Sequence, residues 1–173
     1  ALVGDVAATL AVLNARLRER GGKGGAVPSA WLAACQAKRR EWDAFRQARY
    51  ERPRLYDPAW GGEVLTQPAA IKVATDWARA HDVVTFFDAG DVQANGFQVV
   101  EDDRLGRTFT ETGASYMGFA VSALLATALA SRPFYGLAIS GDGSFTMNPQ
   151  ILMDGVEHGV RGCILLLDNR RMA

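Results

Sequence analysis

The chain reads as an α/β protein: a parallel sheet with helices on both faces. Three observations predict it. Short apolar runs at residues 82–87 (DVVTFF), 135–140 (YGLAIS) and 163–167 (CILLL) are β-branched or aromatic and too short for core helices. Segments of helical spacing alternate with them, which is the pattern of a sheet buried on both sides. Each run ends on polar or glycine residues: Asp88-Ala89-Gly90-Asp91, Gly141-Asp142-Gly143-Ser144 and Asp168-Asn169-Arg170-Arg171. Ligands of such sheets bind at the carboxyl ends of the strands, so these three stretches form the candidate site.

At 173 residues and 49% hydrophobic, the chain is large enough for one good core plus appendages. Its 19 basic and 19 acidic residues cancel, which argues against nucleic acid or an anionic membrane surface as main partner. Two cysteines, Cys35 and Cys163, do not build a disulfide framework. Cys163 opens an apolar run and is expected in the core, in a reduced, cytoplasmic setting. No apolar run reaches the roughly 18 residues of a membrane span.

The elements follow in order. Residues 1–3 read as a short strand leading into a helix to residue 20. Asp5 is its N-cap, and Val6, Leu10, Leu13 and Leu17 lie at helical spacing. This is the expected close of a preceding α/β domain, and the chain reads as part of a longer protein. Residues 21–25 (GGKGG) predict a loop; a Walker-type phosphate loop would need a strand before it and Lys-Ser/Thr opening a helix after it. Residues 28–50 predict a charged amphipathic helix with Trp31, Cys35, Trp42 and Phe45 as a stripe. Pro53, Pro58 and Gly61-Gly62 predict an extended linker, so residues 21–63 join the first segment to a main domain at 64–173.

In that domain, residues 66–80 predict a helix, with Thr66 as N-cap and Pro68 in the first turn. Residues 93–106 read as loop, 107–109 as a short strand and 113–130 (GASYMGFAVSALLATALA) as one buried helix ended by Pro133. Residues 149–158 predict a helix between the last two strands. In a parallel sheet Asp142 and Asn169, 27 positions apart, converge on one rim. Carboxylate and amide oxygens beside glycine N–H groups at a helix start suit a magnesium ion carrying a diphosphate.

Gly141-Asp142-Gly143, followed at that spacing by Asn169, resembles the cofactor motif of the thiamine diphosphate-dependent enzymes. Residues 113–119 (GASYMGF), 66–68 (TQP) and 88–90 (DAG) fall where that superfamily's diphosphate-binding domain has matching segments. The likeness covers residues 64–173, and residues 1–20 resemble the end of the central domain of acetolactate synthase-type chains. It implies thiamine diphosphate and Mg²⁺ as cofactors, with a flavin as an allowed addition.

By the same resemblance, Asp142, the side-chain oxygen of Asn169 and the backbone carbonyl of Arg171 bind the metal. Gly90, Asp91, Gly141, Gly143 and Ser144 hold the diphosphate, although Asp91-Val92 replace the polar Gln and His of the acetolactate synthase pattern. Met117 lies beneath the thiazolium and bends the cofactor, and the Ser115 carbonyl accepts its 4′-amino group. The bent form brings the cofactor's own imino nitrogen to the thiazolium carbon. A Glu that protonates the pyrimidine would come from a pyrimidine-binding domain of a partner subunit, in a homodimer or homotetramer. None of Glu63, Glu101, Glu111 or Glu157 has the context for it, so this chain alone is expected to be inactive. The substrate class is a 2-keto acid or a cyclic 1,2-diketone, as in acetolactate synthase-like transferases or lyases and diketone hydrolases. The competing readings are a non-catalytic or regulatory subunit of the same fold and a dinucleotide-binding domain. The latter lacks the third glycine of G-x-G-x-x-G, where Thr146 stands.

Overall fold

A computed structural model of the chain describes residues 3–21 and 29–170. The chain divides into two compact units, residues 1–48 and 49–173. In the first, helix α1 (Val6–Glu19) starts where the Asp5 carboxylate accepts the Ala8 N–H at 2.8 Å. Helix α2 (Ser29–Glu51) runs from this unit into the second. Neither helix buries a residue fully: Leu10, Leu13, Trp31 and Phe45 stay exposed. Residues 1 and 2 of the strand expected at 1–3, and residues 22–25 of the glycine loop, lie outside the described residues, and Val3 is in no strand.

The second unit opens on an antiparallel hairpin, β1 (Arg54–Asp57) and β2 (Gly62–Leu65), where the sequence suggested an extended linker. Pro58 and Gly61 fit its turn: Asp57 Oδ1 accepts the Ala59 N–H at 2.7 Å, and Gly61 adopts φ 66°. Helix α3 (Gln67–Ala80) follows, with Thr66 at its N-cap position but making no side-chain capping bond, and with Pro68 in its first turn. Next come β3 (Val84–Phe87), α4 (Asp91–Val99), β4 (Thr108–Thr110), α5 (Phe119–Ala123), α6 (Ala126–Leu129), β5 (Gly136–Gly141), α7 (Asp142–Phe145), α8 (Ile151–His158) and β6 (Gly162–Leu167).

Strands β3 to β6 form a parallel sheet in the order β4-β3-β5-β6. The side chains of β3 and β5 alternate between two cores, as the period of two demands. Phe87, Leu137 and Ile139 pack with Ile71, Val92 and Val99 on the α3–α4 face. Val84, Phe86 and Ala138 pack with Val121, Leu124 and Ile151 on the other. Each fully buried side chain of this size contributes roughly 1.5–3 kcal/mol, so β3 and β5 are the structural centre. From β3 the chain moves outward to β4, then crosses back to β5 and on to β6. The direction reverses between β3 and β5, and a crevice opens at such a reversal.

Three further expectations need correction. Residues 91–99 are helical rather than loop, because Val92, Gly96 and Val99 recur on one buried face. The long helix at 113–130 is instead a loop at 113–118 and two short helices. Gly118 sits at φ 92°, a left-handed conformation that starts α5 only there. The break between α5 and α6 carries the tighter bonds Leu124 N–H to Val121 O and Thr127 N–H to Leu124 O, and the Thr127 hydroxyl also caps Leu124 O at 2.7 Å. Cys163 is exposed, not core, because β6 is an outer strand of the sheet among the described residues.

A Cβ added at Gly96 would lie 2.5 Å from the ring of the fully buried Phe87. Gly96→Ala should therefore destabilise the second unit by about 1–3 kcal/mol despite alanine's better helix propensity. Denaturant unfolding that shows no loss would mean Phe87 has room to move.

Candidate functional site

The crevice at the β3–β5 reversal is built from strand ends. Gly90 and Asp91 leave β3, with Gly90 as N-cap of α4 at φ 78°, a backbone that a side chain would strain. Gly141 ends β5, and Asp142 to Phe145 make one helical turn in which the Gly143 N–H donates to Asp142 Oδ1 at 2.9 Å. Asn169 follows the adjacent strand β6, whose Leu167 pairs with Gly141. Gly90, Asp91, Gly141, Asp142, Gly143, Ser144, Met117 and Asn169 line one cleft of about 140 Å³. Gln67 at the start of α3 also lines it, and its side chain hydrogen-bonds Asn95 of α4. Ser144 is buried, Met117 half-buried and Asp91 exposed. Ser115 is on the exposed loop two residues before Met117 and does not itself line the cleft. Arg171 lies outside the described residues.

Beneath the cleft is Asp88, fully buried at the end of β3. Its Oδ1 accepts the N–H of Ala89 at 3.0 Å and of Gly118 at 2.9 Å; its Oδ2 accepts the Ser140 hydroxyl at 2.7 Å. One carboxylate thus joins the exit of β3, the end of the 113–118 loop and the end of β5. Sequence reasoning placed Asp88 on the ligand rim; its place is under the rim, as a tie. Strand alternation carried a signal, since a polar residue directly after four buried ones has little chance of solvent.

A second tie lies beyond Asn169. Asp168 Oδ1 accepts the Arg170 N–H at 2.8 Å, and Arg170 adopts φ 56°. Its guanidinium lies 3.5 Å from the ring centre of Trp60, in the β1–β2 turn. The hairpin thereby braces the turn that carries Asn169. The histidines stand apart: His81 stacks on Trp77 at the end of α3, and His158 ends α8. Among the described residues no cluster of three or more His, Cys, Asp or Glu is arranged for a metal ion, so a metal here would rest on Asp142 and the amide oxygen of Asn169. Both are hard oxygen donors of the kind magnesium takes, with water and substrate phosphate completing the shell. Among the described residues no helix is long and apolar enough to cross a membrane.

Removing the Asp88 carboxylate leaves three buried donors without their acceptor, each costing about 1–3 kcal/mol. Asp88→Ala should lower stability by at least about 3 kcal/mol. Asp88→Asn should cost less, because its amide oxygen keeps the two N–H bonds and Ser140 can turn its hydroxyl toward the Gly141 carbonyl, already 3.2 Å away. Equal unfolding midpoints for the two variants would contradict this ordering.

Comparison with known proteins agrees with this geometry. A family profile described as the thiamine pyrophosphate enzyme C-terminal TPP-binding domain matches residues 88–173. The large subunit of acetolactate synthase isozyme 2 from Escherichia coli (strain K12) is 30% identical over 172 residues, which is 99% of this chain and 27% of that protein. The chain thus spans about a quarter of the length of the curated relative it matches. The profile begins on the buried Asp88 and takes in every strand end of the cleft. The chain belongs, through residues 88–173, to the thiamine pyrophosphate-dependent enzymes, with those residues as their C-terminal cofactor-binding domain.

Proposed function

We propose that this chain supplies the diphosphate and Mg²⁺ site of an acetolactate synthase-like enzyme that makes or breaks a carbon–carbon bond beside a carbonyl. The observation that carries the proposal is the charge of the cleft. Its described lining holds two carboxylates, Asp91 and Asp142, and no Lys, Arg or His. A diphosphate entering alone would meet repulsion, whereas a divalent cation held by Asp142 and Asn169 would cancel the charge of the two carboxylates and itself attract the diphosphate.

In this reading Asp142 and the Asn169 side-chain oxygen are metal ligands, with the Arg171 carbonyl as a third. The Gly143 and Ser144 N–H groups and the Ser144 hydroxyl hold diphosphate oxygens, beside Gly90 and Gly141. With the cofactor bound, the Gly143 N–H, which here donates to Asp142 Oδ1, would be available to a phosphate oxygen. Asp91 stays on the first turn of α4, where the positive end of the helix dipole offsets its charge. Met117 packs against the thiazolium ring, and the Ser115 carbonyl accepts the aminopyrimidine. When bound, thiamine diphosphate supplies a nucleophilic carbon and an electron sink. The protein's share is to orient it, shield it and hold its charge.

The substrate proposed is a 2-keto acid or a cyclic 1,2-diketone. The acid–base carboxylate on the pyrimidine is assigned to a partner subunit, which makes the active unit at least a dimer.

Thiamine diphosphate titration of the complete protein, with and without Mg²⁺, tests this. Binding should need the metal, and Asp142→Ala should weaken it by about 100-fold or more, as expected for removal of a charged ligand. Metal-independent binding, or full affinity in the variant, would sink the catalytic reading and favour a non-catalytic subunit.

A further inference from the structure

The loop between β4 and α5 carries Ser115 and Met117, and one carboxylate folds its first half. Glu111 follows β4 directly, and its side chain turns back over the next residues. Oε1 accepts the Gly113 N–H at 2.6 Å and the Ala114 N–H at 3.0 Å. Oε2 accepts the Ala114 N–H at 2.9 Å and also the Ser115 N–H. Three successive amides converge on one anion, and the chain leaves them through Ser115 at the left-handed φ of 51°. That is the geometry of an anion-binding nest. Here the chain's own Glu111 fills it.

Gln93 of α4 secures the same loop from the side. Its amide donates to Thr110 Oγ1 at 2.6 Å and to the Glu111 carbonyl at 3.0 Å, and its oxygen faces the Ser115 hydroxyl at 3.4 Å. The far end is fixed where Gly118 N–H meets buried Asp88. The loop is therefore held by a carboxylate at each end, one half-buried and one sealed in the core. Backbone donors, Ala114 foremost, hold the Glu111 carboxyl below its ordinary value against the opposing effect of desolvation. It carries its charge, and so the clamp, throughout neutral pH.

We infer that Glu111 is a positioning residue: it shapes the 113–117 loop in advance so that the Ser115 carbonyl and Met117 meet the cofactor in a fixed geometry. It does so without contributing to the diphosphate–metal site. This rests on the roles proposed above for Ser115 and Met117. The clamp itself rests only on the hydrogen bonds. Without Glu111 the three N–H groups turn to water, the strained φ at Ser115 loses its support, and the loop samples other shapes. The cofactor would still be held by its diphosphate while its reacting ring sat less well defined.

The test uses the complete protein with Glu111→Ala and Glu111→Gln. Amide hydrogen exchange of residues 113–115, measured without cofactor, should speed up by about tenfold or more in the alanine variant. Glutamine, which keeps one acceptor oxygen, should fall between. Thiamine diphosphate affinity with Mg²⁺ should change less than about threefold, while deuterium exchange at the thiazolium carbon of the bound cofactor slows by about tenfold or more. Unchanged amide exchange in Glu111→Ala overturns the clamp. Unchanged carbon exchange, or a loss of affinity as large as the loss of exchange rate, overturns the positioning role. If the unaltered protein binds no thiamine diphosphate, the functional reading and the positioning role fall together, and the amide exchange alone decides the clamp.

Discussion

The arrangement of this site depends on one buried carboxylate. Asp88 has no solvent exposure, and it satisfies three donors that belong to three separate stretches of chain. Those stretches are the turn that carries Gly90 and Asp91, the loop that carries Ser115 and Met117, and the strand end that carries Asp142. A buried, fully bonded anion has few alternative partners, because every shift leaves a donor or an oxygen bare. It therefore sets the spacing of groups that the sequence scatters across more than fifty positions. The parallel sheet beneath provides the coarse registry through the β3–β5–β6 pairing. Asp88 provides the local one.

Around this centre, several connections of the rim take backbone that side chains rarely adopt. Gly90, Ser115, Gly118 and Arg170 all take positive φ, at the ends or connections of the strands that bear the cleft. Three of them are supported by a neighbouring group: Asp88 for Gly118, Glu111 for Ser115, Asp168 and Trp60 for Arg170. Strain of this kind persists only where the surroundings over-determine it. The protein thus spends its polar contacts on shaping loops and leaves the cleft floor to glycine and short side chains. Such a floor lets backbone N–H groups approach a bulky anion closely.

Much of this was legible in the residues. Short continuous apolar runs marked β3, β5 and β6, and their polar ends marked the rim, because burial on both faces leaves only strand ends free for polar work. Asp142 and Asn169 were readable together because parallel strands bring such ends to one side. What the residues did not reveal was tertiary in origin. Helix α4 hides behind Asn95 and Gly96, poor helix formers that are recruited because Gly96 lets the Phe87 ring pack against the helix backbone. The stretch 113–130 reads as one helix by composition, yet two carboxylates outside it, Glu111 and Asp88, claim its first amides and hold them outside the helix. Cys163 looks buried by its neighbours, but exposure depends on where β6 lies in the sheet. The Trp60–Arg170 contact joins residues more than a hundred positions apart and has no local signature.

In the proposed function a divalent ion, held by Asp142 and Asn169, joins the diphosphate to the ends of β5 and β6. Electron paramagnetic resonance of the complete protein with Mn²⁺ in place of Mg²⁺ tests it most directly, because coupling between the manganese electron and the phosphorus nuclei reports inner-shell phosphate. Phosphorus coupling should appear only when protein, Mn²⁺ and thiamine diphosphate are all present, and Asn169→Ala should weaken the bound-metal signal. A bound cofactor without phosphorus coupling, or a signal indifferent to both Asp142→Ala and Asn169→Ala, would contradict it.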